Sequence, residues 1–264
     1  MPYWLNGHLR RDEPRIDAGD RGFTLGDGLF ETVRVKDGAA RHLDRHFARL
    51  RDGLAVLDFA LPHDDGALTA AMAALVAASG VTDAVLRLTV TRGPGGRGAS
   101  VPAIPTPTAL ITLAPMPSLP TEARAITATV TRRNQHSPLS RIKSLNFLDN
   151  VLARREAEGK GADEAILLNT EGRVAEGATA NLFVRHGGRI ITPPLSEGAL
   201  PGTLRGAALA AGLAEEAPLD PATLAAAEEI VLTNAIAVRA VTDLDGRSLA
   251  PGAAFAALAA LFDG

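Results

Sequence analysis

Between positions 114 and 120 the chain reads Ala-Pro-Met-Pro-Ser-Leu-Pro, and these three closely spaced prolines most restrict how it can fold. Proline has no backbone N–H to give to a sheet ladder. A strand predicted at 109–113 must therefore stop here, and the segment becomes a semi-rigid link. The link divides the 264 residues into an N-terminal domain over 1–114, a Pro-rich interdomain linker over 115–123 and a C-terminal domain over 124–264. A chain of this length can bury one large core or two modest ones.

Both halves mix strands with helices. Tyr3-Trp4-Leu5, Asn6-Gly7 and His8-Leu9 have the form of a two-residue hairpin, and the apolar run 29–35 before Asp37-Gly38 suggests a second. Between them, 20–28 is punctuated by glycine and reads as a loop. Leu43, Phe47, Leu50, Leu54 and Leu57 recur at the spacing of one helix face, predicting a helix over 42–57, and 66–79 predicts an alanine-rich second one. Residues 84–91 alternate like a strand. In the second half, strands are expected at 125–131, 164–168, 181–185, 189–192 and 229–232. Helices are expected at 145–158, after Pro201-Gly202 and over 221–227. Strand and helix do not alternate regularly enough for a doubly wound sheet, so the fold class is α+β in two domains.

Composition narrows the partners. The net charge is −3, with both signs interspersed and no basic run, which argues against nucleic acid and an anionic membrane surface. There is no cysteine, hence no disulfide framework or thiolate metal site. Without a signal-like segment or a long uncharged apolar stretch, the expectation is a soluble, cytoplasmic protein with a small-molecule ligand.

Lysine is the informative residue. The chain has three lysines against twenty-four arginines, and Lys143 lies in Ser140-Arg141-Ile142-Lys143-Ser144-Leu145-Asn146. A lysine amine can lose its proton and attack a carbonyl to form a Schiff base, which guanidinium cannot do. Glu176, in Val174-Ala175-Glu176-Gly177, is a carboxylate ending an apolar segment. Alone it would be a turn acid, but a pyridine cofactor joined to a lysine needs such an acid at its ring nitrogen. Arg49 sits on a helix whose apolar side is Phe47 and Leu50, and a guanidinium can grip phosphate bidentately; otherwise it is a surface arginine. Leu200-Pro201-Gly202-Thr203-Leu204-Arg205 opens a helix where free N–H groups favour an anion, and the Thr233-Asn234-Ala235 turn can add donors.

Taken in order, Asp20-Arg21, Gly26-Asp27-Gly28-Leu29-Phe30-Glu31-Thr32, His46-x-x-Arg49-Leu50, Lys143-Ser144-Leu145-Asn146, Glu176-Gly177 with Asn181-Leu182-Phe183, and Leu200-x-Gly202-Thr203 resemble the class IV aminotransferases over nearly the whole chain. These are fold-type IV pyridoxal 5'-phosphate enzymes. The resemblance implies a D-amino acid aminotransferase-like fold with the cofactor in the interdomain cleft and the Schiff-base lysine on the C-terminal domain. Lys143 would carry the cofactor and move the proton, with Thr32 as a second catalytic residue. Glu176 would face the ring nitrogen. Arg49 would bind the phosphate with the N–H groups of Thr203, Leu204, Asn234 and Ala235, and Leu200 would pack on the ring. It also implies a homodimer.

Within the family the substrates are amino acids or amines with 2-oxo acids, or aminodeoxychorismate, which a lyase branch splits into 4-aminobenzoate and pyruvate. The glycine-rich Thr91-Arg92-Gly93-Pro94-Gly95-Gly96-Arg97-Gly98-Ala99-Ser100, the Thr233-Asn234-Ala235 turn and Thr32 look like the lyase branch, whereas Phe30-Glu31-Thr32 and Lys143-Ser144-Leu145-Asn146 also occur in transaminases. Phe30, Arg97 and Ala99 stand where D-amino acid enzymes have a Tyr, Arg and His carboxylate trap, so Phe30 and Arg97 are the expected substrate contacts. The expectation is transamination, with the lyase as the alternative. Gly93-x-Gly95-x-x-Gly98 also matches a dinucleotide fingerprint, but Pro102, Pro105 and Pro107 exclude the helix that it must open. His42 and His46 have the spacing of a metal helix without the neighbouring Glu or a third ligand, so they read as solvated or capping and no metal is expected.

Overall fold

A computed structural model describes residues 1–263, which form two compact units. Residues 1–118 and 142–146 belong to the first unit, and 119–141 with 147 onward to the second. The Lys143 segment, assigned by the sequence reading to the C-terminal half, therefore clusters with the first unit.

The first unit is built on β1 (Tyr3–Leu5), β2 (His8–Arg10), β3 (Gly28–Lys36), β4 (Ala39–Ala40), β5 (Ala84–Thr91) and β6 (Thr108–Pro115). They form one antiparallel sheet in the order β2-β1-β6-β5-β3-β4. The first hairpin turns through Asn6 and Gly7, both at positive φ (47° and 92°), the conformation that a tight two-residue turn demands. Helix α1 (Arg21–Leu25) occupies the stretch expected to be a loop. Its single turn exists because Asp20 Oδ1 accepts from the Gly22 N–H at 2.8 Å and Gly26 ends it in the left-handed region.

Helices α2 (Leu43–Leu57) and α3 (Asp65–Ser79) supply Phe47, Leu50, Leu54, Leu68, Met72 and Leu75 to a core shared with Leu29, Val33, Leu86, Leu88 and Ile111 of the sheet. Each such buried side chain stabilises the fold by about 2 kcal/mol before entropy is counted. The alternation that sends Leu29, Glu31 and Val33 inward puts Phe30, Thr32 and Arg34 on the opposite face of β3.

The second unit contains α4 (Leu148–Gly159), α5 (Thr203–Ala210), α6 (Pro221–Ala225) and α7 (Ala253–Asp263). Its strands are β7 (Glu122–Thr127), β8 (Glu164–Leu168), β9 (Val174–Gly177), β10 (Asn181–His186), β11 (Arg189–Thr192), β12 (Glu215–Glu216), β13 (Glu229–Thr233), β14 (Val238–Leu244) and β15 (Arg247–Ser248). The sheet order is β12-β11-β10-β13-β14-β7-β8-β9, with β15 beside β14, and the β14–β7, β7–β8 and β11–β12 pairs are parallel. Leu182 and Val184 face one core cluster, while Phe183 between them meets α5 and α7 through Leu204, Ala208 and Leu258. A third cluster packs Ala153 and Ala157 of α4 on Ala165 and Leu167.

Two predicted boundaries shift for identifiable reasons. β7 ends at Thr127 instead of continuing to 131, because the N–H groups of Thr129 and Val130 donate to Glu156 Oε2 at 2.8 and 3.0 Å. Helix α4 begins at Leu148, not 145, because the preceding residues are held on β3. The Leu145 N–H donates to the Gly28 carbonyl at 2.9 Å, and Asn146 Nδ2 donates to the Gly26 carbonyl at 2.9 Å.

Candidate active site

In the first unit, 143–145 lies along the start of β3 as a short added strand. The Phe30 N–H donates to the Lys143 carbonyl at 2.9 Å, and Leu29 and Ser144 form an antiparallel bridge. This fixes the lysine backbone. Its side chain is half-buried, with Nζ 4.4 Å from the centre of the Phe30 ring. Thr32 shares Phe30's face of the strand. Opposite Thr32 in register, Arg87 places its guanidinium carbon 4.0 Å from the same ring, and burial lowers its pKa from the ordinary arginine value. Lys143 and Arg87 thus both lie over the Phe30 ring, on the strand face that Thr32 shares, and no sequence motif points to Arg87. Arg97 is exposed on the loop after β5.

Arg49 differs from the expectation. It is buried rather than a surface residue, and the bidentate grip foreseen for a phosphate is made on Glu31: Nε to Oε1 at 2.8 Å and Nη2 to Oε2 at 2.5 Å. His46 Nδ1 lies 2.6 Å from Oε2, so His46 is neither solvated nor a cap. Burial alone would raise the Glu31 pKa, but hydrogen bonds with Arg49 and His46 outweigh it and hold the carboxyl below the usual range. The signal was present in the sequence, since period-two alternation turns Glu31 away from Phe30 and Thr32, and His46 and Arg49 share a helix face.

In the second unit, Glu176 on β9 is buried. Its Oε2 accepts from the Leu200 N–H at 2.9 Å, and Oε1 lies 3.2 Å from Arg133 Nε. Arg133 also donates to the carbonyls of Gly198 and Ser140, at 3.2 and 3.1 Å. No sequence motif pointed to Arg133. Asn181, opposite Thr233 in register, donates to the Leu200 carbonyl at 2.8 Å, and a Cβ on Gly202 would lie 1.8 Å from Asn181 Oδ1. Only glycine permits this approach at the start of α5.

Gly202 offers no side-chain cap to α5, so the first turn of Thr203 and Leu204 presents its dipole to an anion. Beside Asn181, the buried Thr233 hydroxyl has no hydrogen-bond partner among the described residues. Asn234 departs from its expected role. Its N–H donates to the Ala237 carbonyl at 3.0 Å and its Oδ1 accepts from Ile236 and Ala237, so it builds the turn instead of offering its amide to a phosphate.

Within the second unit the buried Glu176 carboxylate, the uncapped start of α5 and the orphan Thr233 hydroxyl suit the ring nitrogen and phosphate of pyridoxal phosphate, and within the first the half-buried Lys143 suits its aldehyde. Among the described residues no three His, Asp or Glu side chains gather into a metal site, and no helix is long and apolar enough to cross a membrane.

The family model for amino-transferase class IV matches residues 28–244. A Methanocaldococcus jannaschii protein, provisionally described as a branched-chain-amino-acid aminotransferase, is 33% identical over 94% of this chain and 89% of its own. A D-alanine aminotransferase of Bacillus licheniformis is 32% identical over 96% and 92%. The crystal structure of a 4-amino-4-deoxychorismate lyase from Pseudomonas aeruginosa is similar with a TM-score of 0.86 and 34% identity, covering 98% of this chain and 97% of that one.

Proposed function

The chain belongs to the class IV aminotransferase family of pyridoxal 5'-phosphate enzymes, and from that membership we propose that it moves an amino group between a small amino acid or amine and a 2-oxo acid. The amino acid is of the D- or branched-chain type, and the enzyme works as a cytoplasmic homodimer. The observation that carries this reading is the placement of Lys143 Nζ over the Phe30 ring, on the strand face that Phe30 shares with Thr32. When bound, the cofactor supplies an electron sink for the carbanion at the substrate carbon.

The residues of this chain supply the rest. Lys143 would hold the cofactor and move the proton at the substrate Cα. Thr32 steadies the lysine amine, and Glu176 keeps the ring nitrogen protonated. Arg49, Thr203, Leu204 and Ala235 hold the phosphate, Leu200 packs on the ring, and Arg97 receives the substrate carboxylate. Two aminotransferases aligning over at least 94% of this chain support transamination.

A lyase forming 4-aminobenzoate and pyruvate is the second reading, favoured by the full-length likeness to the Pseudomonas lyase. A parallel assay decides between them, using D-alanine, L-leucine and (R)-1-phenylethylamine with 2-oxoglutarate or pyruvate, alongside aminodeoxychorismate with no acceptor. Acceptor-dependent amino transfer supports the first reading. Release of 4-aminobenzoate and pyruvate without acceptor overturns it.

A further inference from the structure

The loop from Gly93 to Ser100 has little to hold it. Residues 96–100 are exposed and none belongs to the core. What it does have is one buried guanidinium. Arg21, the first residue of α1 and only 3% exposed, donates from Nη1 to the carbonyls of Gly98 and Ser100, at 3.2 and 3.1 Å, and from Nη2 to that of Ala99 at 3.3 Å. Three consecutive carbonyls thus converge on one rigid fork, which fixes the turn immediately after Arg97. The Arg21 N–H donates to the Gly93 carbonyl at 3.0 Å and the Gly95 N–H to the Gly19 carbonyl at 3.1 Å, so the loop base is tied to the same helix turn.

Arg21 is itself fixed. Nε donates to Asp27 Oδ2 at 2.8 Å, and the same oxygen accepts from Arg92 Nε at 2.8 Å. Asp27 directly precedes β3, the strand that carries Phe30 and Thr32 and pairs with the Lys143 segment. Asp20 anchors the other end of the turn, its Oδ2 accepting from the hydroxyls of Thr91 and Thr108, each at 2.8 Å.

We infer that Arg21 is a positioning residue: it holds the loop that presents Arg97, and through Arg97 it sets how tightly a substrate carboxylate is bound. The inference rests on the reading of Arg97 as the carboxylate contact. Arg21 is buried and spent on carbonyls and Asp27, so it acts through the loop.

Two variants of the holoenzyme test it. Arg21→Lys keeps a charge but loses the fork. Gly95→Ala keeps Arg21 but puts a Cβ 2.7 Å from its Cδ, pushing the stem aside. Hydrogen exchange of the 93–100 amides should become about tenfold faster in both, with the rest of the chain unchanged. For whichever of D-alanine, L-leucine or aminodeoxychorismate is turned over, KM should rise about tenfold and kcat stay within about twofold, since uniform binding is what is lost.

Arg97→Gln should raise KM by at least as much, and adding Arg21→Lys to it should raise KM no further, because two residues acting through one contact are not additive. Unchanged loop exchange overturns the inference, as does faster exchange throughout the chain, which would make Arg21 a general stabiliser. Multiplying KM effects in the double variant overturn it as well. If Arg97→Gln leaves KM unchanged while the loop still loosens in Arg21→Lys, the role given to Arg97 has failed and the carboxylate half of the inference fails with it.

Discussion

Arg49 holds Glu31 through two parallel hydrogen bonds, Nε to Oε1 at 2.8 Å and Nη2 to Oε2 at 2.5 Å, in a site where the carboxylate is 1% exposed. A buried guanidinium that loses such a partner is left with an uncompensated charge. Glu31→Gln should therefore destabilise the protein by about 3 kcal/mol in denaturant unfolding. If Arg49 binds the cofactor phosphate, the variant should also weaken pyridoxal phosphate binding, because Arg49 loses the partner that holds it. The Glu31 pKa is below its ordinary value of 4.5 in the fold. The stability contributed by this ionisation is thus complete above that value and is lost as pH falls through the lower folded one. The variant should lack that part of the acid slope, and an unchanged slope would remove Glu31 from the explanation.

Lys143→Ala should abolish the visible absorbance of the cofactor-bound protein, the mass gain on borohydride reduction and all turnover. The Lys143 backbone is fixed by the Phe30 N–H, so the fold should survive with a melting temperature near that of the parent. Reduction of the parent followed by peptide mapping should place the modification on Lys143. A label on Lys36 or Lys160 would refute the assignment.

Glu176→Gln keeps an acceptor for the Leu200 N–H but removes the negative charge 3.2 Å from Arg133. If Glu176 protonates the cofactor ring, kcat should fall about a hundredfold, the scale of the bias that a buried carboxylate exerts on a neighbouring base. Cofactor should still bind. A kcat within twofold of the parent would mean that Glu176 serves only to orient Leu200 and Arg133.

Much of this was legible in the sequence because period and punctuation agree. β5, β8 and β11 fall where alternation or short apolar runs predicted them. Lys143 lies over the Phe30 ring, on the strand face that Thr32 shares with Phe30. What was not legible depends on long-range partners. Whether 145–147 is helical is decided by Gly26 and Gly28, more than a hundred residues earlier, and helical spacing alone predicted the wrong start. The turn at 21–25 hides as a loop because its stability comes from Asp20 and from Arg21's remote carbonyls. β14 and α7 were missed because Val-Arg-Ala-Val-Thr-Asp-Leu alternates imperfectly and an alanine-rich tail has little amphipathic contrast. Helical spacing places Arg49 beside the apolar face of Phe47 and Leu50, but its partner Glu31 is a carboxylate brought by β3.

Glu156 offers a test away from the cofactor. It closes the end of β7: Oε1 accepts from the Thr129 hydroxyl at 2.6 Å and Lys160 Nζ at 2.8 Å, and Oε2 from the N–H groups of Thr129 and Val130. Burial raises its pKa, but the hydrogen bonds from Lys160 and Thr129 and those from the backbone win and lower it from 4.5 to about 2. A carboxylate with a depressed folded value stabilises the fold fully above 4.5, and its contribution disappears as pH falls towards about 2. Lys160 is half-exposed, so solvent screens part of the effect and Glu156→Gln should cost on the order of 1 kcal/mol at pH 7. The loss should shrink as pH falls through that window, because the parent carboxyl becomes neutral like the amide. Urea unfolding of both proteins between pH 7 and pH 3 measures it, and a stability difference that stays constant or grows in acid would show that Glu156 acts through shape and not charge.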